Sequence, residues 1–452
     1  MSDQTTMQSL HVYERFLQHL PLGWERKEIR QLGTVVGGGT PSRNVPSFWR
    51  GTIPWVTPGE VSGNATKYLH DTNEHISSTG LASSGANLLP TGALMVTTRA
   101  TLGARVINTV PMATNQGFKS IVFQQPADSD FYFHLFEKVL PELVRRASGT
   151  TFLEISGSEF GSIEVPMPAP AEKRLIAEIL DTLDTAIHET EAIIAKLKAV
   201  KQGLLYDLLT RGIDTNGELR PPQAEAPHHY KESALGWIPK GWSVERISGV
   251  CCAIVDCPHS TPDFRDDGVL VARTMHIKDG TFLEASASRV SEREYCERIL
   301  RLEPAPGDVI FTREAPVGEA FVIPNGMRIC LGQRVMLLRP KQGRLIAEFL
   351  LAQIYSGAVK DRIATLTSGT TNPHLNVAEV KEFEIPLPPL EEQQLIADRV
   401  SSLESRIRRE MLEREKLIAS KSGLMDDLLT GRVRVTPLLK TQQVQHETEE
   451  VA

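Results

Sequence analysis

The stretch "SGTTFLEISGSEFGSIEVPMPAPAEKRLIAEIL", Ser148 to Leu180, returns in altered form as "SGTTNPHLNVAEVKEFEIPLPPLEEQQLIADRV", Ser368 to Val400. The offset is 220 residues, and it holds without a gap from Ser148 to Thr210 against Ser368 to Thr430. A chain written this way must fold as two versions of one unit, so an architecture for one half has to serve the other. Upstream landmarks recur with a drifting offset. "LPLGWERKEIRQLG" (Leu20 to Gly33) answers "IPKGWSVERISGV" (Ile238 to Val250), and "TGALMVTTRATLGARVI" answers "PGDVIFTREAPVGEAFVI". "TNQGFKSIVF" answers "LGQRVMLLRP" and sets Gln116 opposite Gln333. The repeat is too long for a solenoid. Each copy reads as a mixed α/β domain followed by a long helix, with loops that diverge while the helices stay in register.

The helical parts carry a heptad pattern. Leu180, Ile187 and Ile194 take one seam position and Leu183 and Leu197 the other; in the second copy Val400 and Ile407 answer Leu403 and Leu417. Sustained over more than four heptads, this predicts a coiled coil. Two helices each packed on its own domain is the alternative, but a helix of about 40 residues spans roughly 60 Å, longer than one domain. Prolines in "VPMPAPAE" and "IPLPPLEE" suit a helix start, and Glu172 and Glu392 suit its positive end. Both helices close on a shared signature, "GLLYDLLTRGI" and "GLMDDLLTGRV". The expected order is a lead-in (1–19), a domain (20–165), a helix (166–213), a linker (214–236), a second domain (237–385), a second helix (386–435) and a disordered tail (436–452).

At 452 residues the chain exceeds one hydrophobic core. It holds no apolar run near the ~18 residues of a membrane span, and its start lacks the order of a secretory signal, so a cytoplasmic location without membrane contact is expected. All five cysteines, Cys251, Cys252, Cys257, Cys296 and Cys330, lie in the second half. Reduced thiols fit better than a disulfide framework. Cys252, Cys257 and His259 lack paired metal-ligand spacing, so no metal is expected. Nucleotide-loop, zinc-helix and adenine-methylase motifs are absent from the sequence. Asp263, Asp266 and Asp267 read as a solvated loop before they read as a nuclease cluster. These features disfavour an enzyme acting alone and predict no catalytic residue.

Taken together, the "GW" openings, the "SGTT" segments, the "VPMP" and "IPLP" exits, "KESALGWIPKGW" and the "LLT" helix ends resemble the DNA-specificity subunits of type I restriction-modification systems. The resemblance runs from about Leu20 to Val435. It implies an α+β fold: two mixed α/β target recognition domains, each followed by a long conserved helix, the two helices forming an antiparallel coiled coil with pseudo-two-fold symmetry. It implies a non-catalytic chain reading two halves of an asymmetric bipartite target on double-stranded DNA. The implied partners are two modification subunits and two restriction subunits; S-adenosylmethionine, ATP and Mg would belong to those partners, with no cofactor on this chain. Charge fits only with such help. Net charge is −7; Leu20–Glu164 has 12 basic and 12 acidic residues, and Trp237–Ile385 has 18 and 19. Weak DNA binding by the isolated chain follows. The rivals are a self-contained nuclease and a protein-interaction scaffold without DNA.

Base edges are read by hydrogen-bonding side chains on loops. In the first domain the candidates for DNA contact are Thr40, Ser42, Arg43 and Arg50, beside glycines suited to close approach to phosphate, with Arg99, Gln116, Lys119, Thr150 and Thr151. In the second they are His259, Ser260, Thr261, Arg265, Arg273, His276, Arg313, Gln333, Arg334, Thr370, Thr371 and Asn372. Gln116 and Lys119, like Gln333 and Arg334, fit a phosphate role better than base readout, and the threonines of the two "SGTT" segments fit a phosphate grip or a turn cap. Arg99 and Arg313 are expected at matching positions, where a structural ion pair competes equally with DNA contact. Trp49, Trp55 and Phe118 read as core.

Overall fold

A computed structural model describes residues 13–62, 66–99, 101–147, 154–369 and 373–439. The chain divides into two compact units, one of residues up to Glu189 with those from Arg414 onward, the other Thr190–Glu413. The cuts fall inside both long helices. Each unit thus holds a mixed α/β domain, the first half of the helix that follows it, and the second half of the other helix.

In the first unit, "FKSIVF" (Phe118–Phe123) alternates sides and sits inside a five-stranded sheet. Its order is Gly33–Gly37, Phe118–Phe123, Leu94–Thr97, Arg105–Asn108, Tyr68–Leu69, with only the last pairing parallel. Leu94–Thr97 is buried throughout because both faces are covered. Leu94, Val96 and Ile107 meet Phe131, Leu135 and Phe136 of the helix Asp128–Arg146, while Met95, Val106 and Phe118 meet Val56, Leu89 and Met112. That helix has acids in its first turn and arginines in its last, matching its dipole.

The second unit repeats the frame. Cys251–Asp256, Val335–Pro340, Val309–Thr312 and Ala320–Val322 form an antiparallel sheet in that order. Bonding fixes the equivalences. Thr97 N donates to Ala104 O (2.8 Å) as Thr312 N does to Glu319 O (2.7 Å), and Thr98 N to Gly117 O (2.8 Å) as Arg313 N does to Arg334 O (3.0 Å). Arg313 therefore matches Thr98, and Arg99 matches Glu314. The sequence alignment set the two arginines together one residue out of register.

Each domain is closed by a two-stranded ribbon joining its entry to its exit, Glu25–Glu28 with Glu164–Met167 and Ser243–Arg246 with Glu384–Leu387. The "VPMP" and "IPLP" exits are thus strands. The helices start later than expected, at Pro170 and Leu390, and run 41 and 39 residues to Thr210 and Leu428. The segment expected as a linker is ordered: Tyr230–Ser233 and Gly236–Pro239 form a hairpin, with Tyr230 buried. Tyr13 of the lead-in donates to Glu164 O (2.9 Å), and residues 436–439 are helical. The remainder of the tail lies outside the described residues.

The long helices pack antiparallel within each unit. Lys421 pairs with Asp184 in one, and Lys201 with Glu404 at 2.7 Å in the other. Shifting each partner by the repeat offset turns the first pair into the second: one ion pair, made twice. Leu180, Ile194, Leu197, Val400 and Ile407 are buried; Leu183, Ile187, Leu403 and Leu417 are half-buried.

Candidate nucleic-acid interface

In both domains the candidate loop leaves the sheet at the same place, after Gly33–Gly37 and after Cys251–Asp256. Of the run Gly37–Gly39, Gly37 has open space where a side chain would stand and the other two do not. A Cβ on Gly38 would strike the backbone of Thr114 and Asn115, and one on Gly39 the backbone of Gly85 and Ala86. At Gly38 and Gly39 the missing side chain lets chain pack on chain. Thr40 Oγ1 donates to Gln116 Oε1. Ser42 and Arg50 are exposed. Arg43 stacks on Trp49 at 3.6 Å and is bidentate to Glu74, whose carboxylate those hydrogen bonds hold below its ordinary range. Arg43 is thus already engaged. Arg99 lies 3.7 Å from Glu154, and Lys119 is half-buried.

In the second domain His259, Ser260, Thr261 and Arg265 are exposed, and Arg265 sits 3.8 Å from Asp263. Arg273 donates to Ser288 Oγ (3.2 Å) and covers Phe264. His276 is 3% exposed, so it cannot reach a base edge. The short turn Thr274–His276 rotates Met275 outward and His276 in, against Phe282. Arg313 is also turned inward, its side chain 11% exposed and 3.0 Å from Asp256, which favours the structural ion pair. Gln333 Nε2 donates to His259 O (2.9 Å), and exposed Arg334 pairs with Glu314 at 3.1 Å. Both glutamines therefore hold the loop at the same place, through Thr40 and through His259. Thr150, Thr151, Thr370, Thr371 and Asn372 lie outside the described residues.

Four residues outside the two loops hold them and escaped sequence reasoning. Arg298 and Arg301 bind carbonyls of the second loop, and Asn87 binds Gly37 O of the first. Trp55, read as core, is core, yet its indole N–H donates to Gly39 O (2.9 Å). None of them belongs to a motif; each lies 16 to 50 residues from the loop it holds.

The "GW" tryptophans form a matching pair of clasps at the helix starts. Trp24 Nε1 donates to Glu172 (3.2 Å), which Arg434 grips with two bonds of 2.9 Å. Trp242 Nε1 donates to Glu392 (3.1 Å), gripped by Arg220. Each unit is thereby locked by its domain entry, its own helix start and the chain that follows the other helix.

His134, Asp181 and Asp184 place donor atoms within 4.8 Å of one another. Lys67, 2.7 Å from Asp181, and Lys421, paired with Asp184, already neutralise the carboxylates. Asp263, Asp266 and Asp267 are exposed. No helix among the described residues is long and apolar enough to cross a membrane.

The family described as the type I restriction modification DNA specificity domain matches residues 21–199 and again 239–417. The chain belongs to that family. It is 25% identical over 445 residues to the MjaIX specificity subunit of Methanocaldococcus jannaschii, covering 93% of this chain and 95% of that one. It is 28% identical over 209 residues to the EcoR124I/EcoR124II specificity subunit of Escherichia coli, covering 44% and 46%. The fold matches the crystal structure of the type I S subunit from M. genitalium at TM-score 0.57, with 12% identity over 91% of this chain and 96% of that one. A structure solved for assembly and conformational transition of the type I system matches at 0.53, with 19% identity over 92% of this chain and all of that one.

Proposed function

We propose that the chain reads an asymmetric bipartite DNA target, one half per recognition domain, and scaffolds the modification and restriction subunits of a type I complex without catalysis of its own. The carrying observation is the contrast between frame and loop. The central strands, the ribbon and the helix clasp recur in both domains, while matching loops expose Thr40, Ser42 and Arg50 in one domain and His259, Ser260 and Thr261 in the other. A common frame with different readers is what two different half-sites require.

Support for scaffolding comes from clefts of one origin. The second unit has a cleft of about 950 Å³ lined by Lys198, Lys201, Gln202 and Leu205; the first has one of about 690 Å³ lined by their repeat counterparts Ile418, Lys421, Ser422 and Met425. Balanced domain charge puts much of the phosphate affinity on the partners. S-adenosylmethionine, ATP and Mg belong, on this reading, to those subunits.

The test is a domain exchange. Replacing residues 20–165 with the corresponding domain of a relative should change one half of the methylated motif and leave the other. A change in both halves, or in neither, contradicts the reading.

A further inference from the structure

Between Asp256 and Ser260 the backbone turns its carbonyls onto side-chain donors. Arg301 Nη1 reaches Asp256 O at 3.2 Å and Cys257 O at 3.3 Å. Arg298 Nη2 reaches Pro258 O at 3.5 Å and Ser260 O at 3.3 Å, and Gln333 takes His259 O. Several of these contacts are long and individually weak. Their force comes from Arg298, whose side chain is 2% exposed and whose carboxylate neighbour, Glu294 at 3.1 Å, satisfies only part of its fork. A guanidinium stays charged, and a buried charge needs acceptors. Leu331 O at 2.8 Å is one, and the loop carbonyls are the others. The burial of Arg298 and the conformation of the loop therefore require each other. With the carbonyls occupied, His259, Ser260 and Thr261 stand exposed between two buried anchors, Cys257 and Pro262.

The first domain reaches the same end with other residues. Asn87 Nδ2 donates to Gly37 O (2.9 Å), Trp55 Nε1 to Gly39 O (2.9 Å) and Trp49 Nε1 to Ser42 O (3.1 Å). Two unrelated donor sets serve one purpose at one place in the frame.

We infer that Arg298 and Arg301 are positioning residues for the second half-site: they hold loop 256–261 in one conformation, so that His259, Ser260 and Thr261 meet the base edges in register. This rests on the recognition reading above. Side chains held in advance discriminate; the same side chains on a loose loop adapt to several bases.

The test uses the full chain with its modification subunit, as wild type, Arg301→Ala, Arg301→Lys and Arg298→Lys. Arg301 is exposed, so its truncation spares the core, and Arg298→Lys keeps the charge but loses the fork. The readouts are the methylated motif in cells and binding to duplexes carrying the wild-type motif, its single-base variants or no motif. The expected result is that discrimination in the second half falls about tenfold, within the range one base pair controls, while the first half stays as sharp as in wild type. Arg301→Lys should recover part of the loss, and affinity for the motif-free duplex and its salt dependence should not move. Unchanged discrimination overturns the inference, as does equal loss in both halves, which marks damage to the fold or assembly. A uniform drop in affinity with a shallower salt slope overturns it too, by marking Arg301 as a phosphate contact. A wild-type complex without a two-part motif removes the recognition reading itself.

Discussion

Glu172 and Glu392 open the two long helices, where a carboxylate suits the positive end of the dipole. Each is also buried and bound by an indole N–H and an arginine, so removing it strands both donors. Glu392→Ala should cost about 3 kcal/mol, seen as an earlier urea transition of the full chain, and Glu392→Gln should cost less. His134 gives a pH dependence. Burial holds its imidazole below the ordinary value, against the pull of Asp181 at 2.8 Å and Asp184 at 3.9 Å, and Lys67 adds to the lowering. As pH falls through about 6.5 the unfolded chain takes up a proton that the folded chain still refuses, so stability should drop between pH 7 and 5. His134→Asn should flatten that slope in melts at each pH; an unchanged slope would place the dependence elsewhere. Of the candidate positions, the exposed loop side chains were legible as surface because they sit beside turn formers. The inward turn of His276 and Arg313 was not, since a three-residue turn decides it and no periodicity records it. The donors Arg298 and Arg301 left no trace in sequence, because their partners are backbone carbonyls far along the chain.

The helices were the most legible elements. A heptad seam is local, and the repeat shows it twice. Their true starts were hidden because proline suits both a helix's first turn and the edge of a two-stranded ribbon. Here Pro166 and Pro386 pair with Arg26 and Val244, and the strand wins. The ends follow from glycine. Gly212 has φ +67°, and a Cβ there would meet Glu392, Arg220 and Trp242; Gly431 has φ +69°, and a Cβ there would meet Pro21 and Trp24. Gly212→Ala should therefore destabilise by about 2 kcal/mol or more, through backbone strain together with disruption of the clasp. Between the helices, a double-mutant cycle on Lys201 and Glu404, each about a quarter exposed, should return a coupling of about 0.5–1 kcal/mol that shrinks in high salt.

For the whole molecule, the duplication announced two domains and two helices but not which helix halves share a unit. Pairing direction is absent from a repeat; the family resemblance supplied it, and the ion pairs made at equivalent positions in each unit agree. Because each unit is built from both helices, neither domain with its own helix is a self-sufficient piece. If the helices set the distance between half-sites, deleting a matched heptad from both should alter the unread spacer and leave both half-site sequences intact. The most direct measurement of the central claim is single-molecule methylome sequencing of cells carrying this chain with its modification subunit, against cells lacking this chain. The account predicts one new adenine-methylated motif, asymmetric and split by a fixed unread spacer. An intact complex that adds no motif, or adds a continuous or palindromic one, would contradict it.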